Sequence, residues 1–172
     1  RVMPAFEEAA VAWLEEPFAP HDRRAYKAAS ALGRVPLAAG ENHYTRFEFA
    51  TLLDDGAVSF VQPDLSKTGG LTDRLRIAAM AGAHKISVNP HTSATALNMA
   101  ATIHFLCAVD NPGHFEGDVT TLNPFRDRLT DAAPFTLDSE GCVRPLDGIG
   151  TGLTVDEDFI LEHPLIEGPC YV

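Results

Sequence analysis

Five short apolar runs along the chain each end in a polar, mostly ionisable residue. They read Val11-Ala12-Trp13-Leu14-Glu15-Glu16-Pro17, Pro36-Leu37-Ala38-Ala39-Gly40-Glu41, Val58-Ser59-Phe60-Val61-Gln62-Pro63-Asp64, Ile86-Ser87-Val88-Asn89-Pro90-His91 and Gly113-His114-Phe115-Glu116. Short, fully apolar runs suit strands buried on both faces. The stretches between them read as helices, so the alternation predicts an α/β fold with parallel strands. In a TIM-type barrel such strand ends converge on one rim and carry the chemistry. Residues far apart in sequence then share one site.

The helices have local signals. Residues 3–10 read as the last turns of a helix. Asp22 caps a helix over 23–32, with Gly33 as its stop. Thr45-Arg46-Phe47-Glu48 reads as a capping box opening a helix to about 54, ended by Gly56. Gly69-Gly70 precedes a helix over 72–81, and Leu71, Leu75, Ala78 and Ala79 give it an apolar face. Ser93 or Thr95 opens a long apolar helix to about 109. The strands between are placed at 11–14, 36–39, 58–61 and 86–88, with Phe115 in a fifth.

The character changes from residue 119. Loops lead to a small hairpin of 135–137 and 142–144, a short helix over 156–162, and a terminal strand at 169–172. Five β/α units do not close an eight-stranded barrel. An open half-barrel would expose edges and an apolar inner face. The expectation is therefore that this chain is part of something roughly twice as long.

Composition narrows the partners. The formal charge is −11, without a Lys/Arg run, which argues against nucleic acid. No apolar run has the length of a membrane span, and none reads as a signal peptide, so cytoplasmic is the default compartment. Cys107, Cys142 and Cys170 form no C-x-x-C pair and read as buried or idle thiols.

The strand ends supply the candidate chemistry. Glu15 and Glu41 end successive strands, and hard cations such as Mg²⁺ take carboxylate oxygens. Glu16 sits beside Glu15 but points to the other side of its strand, which makes it supporting or part of the wall. Asp64 and His91 end the third and fourth strands. There an Asp can fix the tautomer of a His and raise its basicity, forming an acid–base pair. Glu116 can donate a proton to a developing oxyanion if burial raises its pKa. Lys67 and His43 are candidate substrate contacts. The Lys67–Gly70 turn lacks the spacing of a phosphate-binding loop.

These residues also carry a resemblance. The motifs at 13–17 (Trp-Leu-Glu-Glu-Pro), 40–42 (Gly-Glu-Asn), 62–70 (Gln-Pro-Asp-Leu-Ser-Lys-Thr-Gly-Gly) and 90–93 (Pro-His-Thr-Ser) resemble the enolase superfamily, specifically its mandelate racemase subgroup. The likeness covers nearly the whole chain. It implies the C-terminal part of a (β/α)7β barrel over 1–118, with 119–172 returning toward a capping domain that the chain does not hold. It implies Mg²⁺ as cofactor, with Glu15 and Glu41 as the second and third ligands. The first ligand, an Asp, and a Lys-containing motif would lie on earlier strands. Asp64 and His91 resemble the subgroup's dyad, and Glu116 the acid that bonds the substrate carboxylate.

The implied chemistry is removal of a proton beside a carboxylate. Dehydration of an acid sugar to a 2-keto-3-deoxy acid is the leading expectation. Racemisation or epimerisation of a 2-hydroxy acid, or an inactive fragment, are the alternatives. The implied partner is a small carboxylate substrate, and the family often forms homo-oligomers.

Overall fold

The computed structural model describes residues 2–166. Four parallel strands, β1 (Leu14–Glu15), β2 (Leu37–Ala39), β3 (Phe60–Val61) and β4 (Ser87–Val88), lie in the order β1-β2-β3-β4. Leu14 and Glu15 pair with Leu37 and Ala38, Ala39 with Val61, and Val61 with Val88. The preceding helix is α1 (Met3–Glu8). The strands are linked by α2 (Arg23–Ser30), α3 (Thr45–Asp54) and α4 (Gly70–Ala83), and α5 (Ala96–Ala108) follows β4. Beyond it lie two short helices, α6 (Pro124–Asp127) and α7 (Glu157–Glu162).

The strands are shorter than the apolar runs that signal them. Residues 11–13 stand outside β1, and its ladder begins where Leu14 N–H donates to Pro36 O at 2.9 Å. Among the described residues β1 pairs only with β2, and the run before it is partly exposed. The fifth run pairs through one parallel bridge, Val88 to Pro112, framed by Val88 N–H to Asn111 O and Gly113 N–H to Val88 O. Phe115 therefore lies past the ladder, not in a regular strand.

The core lies between this sheet and its helices. Leu37, Val61 and Val88 from the strands meet Phe49 and Leu53 of α3, Ile77 and Ala81 of α4, and Phe105 of α5. Ala38 and Ala39 are both fully buried, which lets α3 and the lumen approach β2 from either side.

Several local expectations hold. Asp22 accepts from Ala25 N–H at 3.0 Å and Thr95 accepts from Asn98 N–H at 3.1 Å, capping α2 and α5. Asp156 caps α7 in the same way. The capping box is shifted: Glu48 accepts from Tyr44 N–H at 2.6 Å, and Thr45 makes no capping bond.

Two expectations fail. Leu71 and Leu75 are exposed, because α4 turns Arg74, Ile77, Ala78 and Ala81 to the interior. The hairpin keeps only its turn, with Asp138 N–H bonded to Cys142 O, and forms no strands. Cys107 and Cys142 are free and exposed, which is the idle rather than the buried alternative. The terminal strand and Cys170 fall outside the described residues.

Among the described residues no helix is long and apolar enough to cross a membrane. The tail adds little to the core: Leu129 and Phe159 are buried, whereas Val119, Leu122, Ile149, Leu165 and Ile166 are largely exposed.

One ion-pair cluster ties α2 to α3. Asp55, just past α3, receives Arg23 Nε and Nη2 at 2.5 Å, and Lys27 Nζ at 2.8 Å. The hydrogen bond from Arg23 holds the Asp55 carboxyl well below the usual carboxylate range, against desolvation and with help from Lys27. A carboxylate with a lowered folded pKa stabilises above its unfolded value of about 3.9, and the gain is lost as pH falls through the folded value. Asp55→Asn is expected to reduce stability at pH 7. The gap to wild type should close as pH drops below about 4, read by urea unfolding across pH.

Candidate active site

Side chains along a strand alternate between its two faces. Trp13 and Glu15 therefore share a face, as do Phe60 and Gln62, and His114 and Glu116. Trp13 packs against Phe60 at 5.2 Å between ring centroids and stacks on His114 at 6.0 Å. Toward the strand ends comes a polar layer. Gln62 Nε2 donates to Glu15 Oε2 at 2.6 Å. A cavity of about 210 Å³ opens among Trp13, Glu15, Gln62, Asn89, His114 and Glu116.

Two close backbone approaches set this layer. Gly40 has φ +148°, and a Cβ there would lie 2.7 Å from Gln62 N. A Cβ on Gly113 would lie 2.2 Å from Asn89 Oδ1, which accepts from His114 N–H at 2.8 Å.

Glu16 takes the opposite side from Glu15. It accepts from Gly40 N–H (3.1 Å), Asn42 N–H (3.2 Å) and Asn42 Nδ2 (2.7 Å). It thereby straps down the loop that carries Glu41, and Asn42 Nδ2 also donates to Glu41 Oε1 at 3.1 Å.

The structure brings Asp64, His91 and Glu41 into one line. His91 Nδ1 bonds Asp64 Oδ2 at 2.7 Å, and its Nε2 stands 3.0 Å from Glu41 Oε2. Asp64 is 2% exposed and also accepts from Ser66 N–H and Asn98 Nδ2. Burial disfavours the imidazolium of His91. The Asp64 hydrogen bond, with Glu41 and Glu116, outweighs burial and raises its pKa above the ordinary value. An imidazole with a carboxylate on each nitrogen is satisfied only when both nitrogens carry protons.

Glu116 is tied to the end of β4. Thr92 N–H donates to its carboxylate at 2.9 Å, and the Thr92 hydroxyl to its backbone oxygen. Desolvation pushes the Glu116 pKa up, and Glu15 and Glu41 add to it, while Thr92 and His91 oppose. Lys67 reaches the same group, 3.8 Å from Glu41 Oε1 and 3.4 Å from Asn42 Oδ1.

His43 does not join the cluster. It is 8% exposed, packs 5.9 Å from Phe49, and leaves Nδ1 without a hydrogen-bond partner. Burial lowers its pKa, against Glu16 and Glu48. Its wall is the space between α2 and α3. Asp118, near Glu116 in sequence, is occupied by Thr120 and Asn123.

Sequence reasoning missed Thr92, Asn98 and Asn42 as working residues. Thr92 and Asn42 adjoin strand-end motifs, which is the signal that points to them. Asn98 carries no such signal, because it lies within a helix otherwise read as apolar.

Glu41, Asp64 and Glu116 thus act on His91, Glu41 also lies near Lys67, and Glu15 is held by Gln62. Among the described residues no group of three or more His, Cys, Asp or Glu is arranged to hold a metal ion. The oxygens of Glu15 and Glu41 are nonetheless the hard, anionic donors that Mg²⁺ takes from a protein, in the small number it takes.

Comparison with known proteins identifies the family and the fold. The sequence matches the family described as enolase C-terminal domain-like over residues 1–159. A D-galactonate dehydratase of Verminephrobacter eiseniae is 32% identical over 159 residues, covering 88% of this chain and 40% of that protein. A solved enolase-superfamily member from Polaromonas sp. JS666 superposes with a TM-score of 0.92 at 52% identity, covering 99% of this chain and 45% of that one. A mandelate racemase/muconate lactonizing enzyme from Sulfitobacter sp. gives 0.78 at 28% identity, covering 98% and 43%. The chain belongs to the enolase C-terminal domain-like family, and its sheet is part of that family's TIM-type barrel. It spans less than half the length of these relatives.

Gly40→Ala tests the link between backbone and site. The strained φ and the approach to Gln62 predict a loss of about 1–3 kcal/mol in unfolding free energy. Displacement of Glu41 should cost more than tenfold in activity, roughly, even where the variant remains folded. Denaturant titration and initial rates measure the two effects.

Proposed function

We propose that the protein carrying this chain removes the proton beside the carboxylate of an acid sugar and expels the 3-hydroxyl, giving a 2-keto-3-deoxy acid. The observation that carries this reading is the Asp64–His91 pair set against Glu15, Glu41 and Glu116. Similarity to a D-galactonate dehydratase supports acid sugars as the substrate class.

Each residue has a role consistent with its surroundings. Asp64 keeps the Nδ1 proton on His91 and leaves Nε2 to exchange a proton with substrate. Protonated, the imidazole can deliver that proton to the departing 3-hydroxyl, which leaves as water. Neutral, the same nitrogen can accept the α-proton. Glu116, with its raised pKa, donates a hydrogen bond where carboxylate charge develops. Lys67 offers a positive contact for the substrate anion. Mg²⁺ held by Glu15 and Glu41 would act as a Lewis acid on that developing charge. Gln62 and Asn42 orient these two carboxylates.

The test is the full-length protein with Mg²⁺ and a panel of acid sugars in D₂O. Appearance of a keto acid is expected, with His91→Asn slower by about 10²–10⁴-fold. Deuterium exchange with inversion and no keto acid would replace dehydration with racemisation. No reaction and no exchange would refute both.

Metal dependence has its own readout. A ligand that binds only the folded state raises its stability. Millimolar Mg²⁺ is expected to raise the melting temperature of wild type, and Glu41→Gln to abolish most of that shift.

A further inference from the structure

Behind the dyad, away from the substrate side, lies a buried cation that the reaction just described does not use. Arg74 on α4 is fully buried. Its Nη1 donates to Thr102 Oγ1 at 2.7 Å. Its guanidinium lies 4.7 Å from the Phe105 ring centre, and its Nε and Nη2 have no partner. A buried arginine this incompletely bonded is costly to keep unless its charge serves something nearby. The charge that acts on it is Asp64, which opposes the effect of burial; burial still pushes its pKa down to about 9, so it remains protonated at neutral pH.

The bonds run in one direction. A guanidinium can only donate, so the Thr102 hydroxyl accepts from Arg74 and spends its single proton on Asn98 Oδ1, 3.2 Å away. Asn98 is thereby held with its NH₂ forward. That group donates to Asp64 Oδ1 at 2.9 Å and to Ser66 Oγ at 2.7 Å. The other Asp64 oxygen receives His91 Nδ1.

We infer that Arg74 is a positioning residue for the Asp64–His91 pair, acting through Thr102 and Asn98. Its donor-only chemistry fixes the direction of the relay, so that Asn98 donates to Asp64 and holds that carboxylate aimed at His91. The inference rests on the proposed reaction for its kinetic consequence and on geometry alone for the relay.

The test uses Arg74→Met and Arg74→Lys in the full-length protein. Met removes the charge at similar volume, and replacing a buried charge by an apolar side chain commonly leaves stability unchanged or raised. The expected result is a kcat reduced about tenfold or more, with KM within twofold and an unchanged or higher melting temperature. Arg74→Lys should recover part of the loss. In an Asp64→Asn background, Arg74→Met should add less than a twofold loss. Wild-type kcat in Arg74→Met, or a full additional loss in the Asp64→Asn background, would overturn the inference.

Thr102→Val cuts the same relay without touching the arginine and serves if Arg74→Met does not fold. A second readout is independent of turnover: the downfield proton resonance of His91 Nδ1–H, assigned by its loss in Asp64→Asn. It should shift or broaden in the relay variants. An unaltered resonance overturns the inference, whereas an unreactive sugar panel defeats only the proposed reaction.

Discussion

The rim depends on the alternation of side chains along strands only two or three residues long. With so little strand, a slip of one position would exchange Glu15 for Glu16 and turn the cluster inside out. Parallel pairing with β2 through Leu14–Leu37 and Glu15–Ala38 prevents that slip. The strap from Glu16 to Gly40 and Asn42 makes the losing orientation useful as well, because the acid turned away from the lumen fastens the neighbouring loop.

Charge is the second organising constraint. Carboxylates crowded at one rim repel. The structure spreads the cost unevenly. Asp64 is enclosed and fully bonded, Glu41 lies against His91 and Lys67, and Glu116 answers with a raised pKa. Such divergence between neighbouring acids is what separates a proton carrier from a fixed anion.

Much of this was legible in the chain. Strand-end polarity located Glu15, Glu41, Asp64, His91 and Glu116, because in a parallel sheet the end of each strand is a defined place in space. Capping chemistry located α2 and α5, because Asp22 and Thr95 act within a few residues. What escaped depends on the third dimension. The inward face of α4 includes Arg74 and excludes Leu71 and Leu75, which hydrophobicity alone ranks the other way. His43 sits two residues past Glu41, yet the loop turns it back against Phe49. The length of the fifth run depended on its partner, because a single bridge to β4 ends it.

The stack of Trp13 on His114 reaches across the sheet, from just before β1 to just past the bridge at Pro112. It works as a strut. The two rings lie between the segments that present Glu15 and Glu116, so the thickness of an aromatic pair contributes to the span between those acids. Ring size at these two positions is thus a calibration of the room left for whatever molecule settles between them.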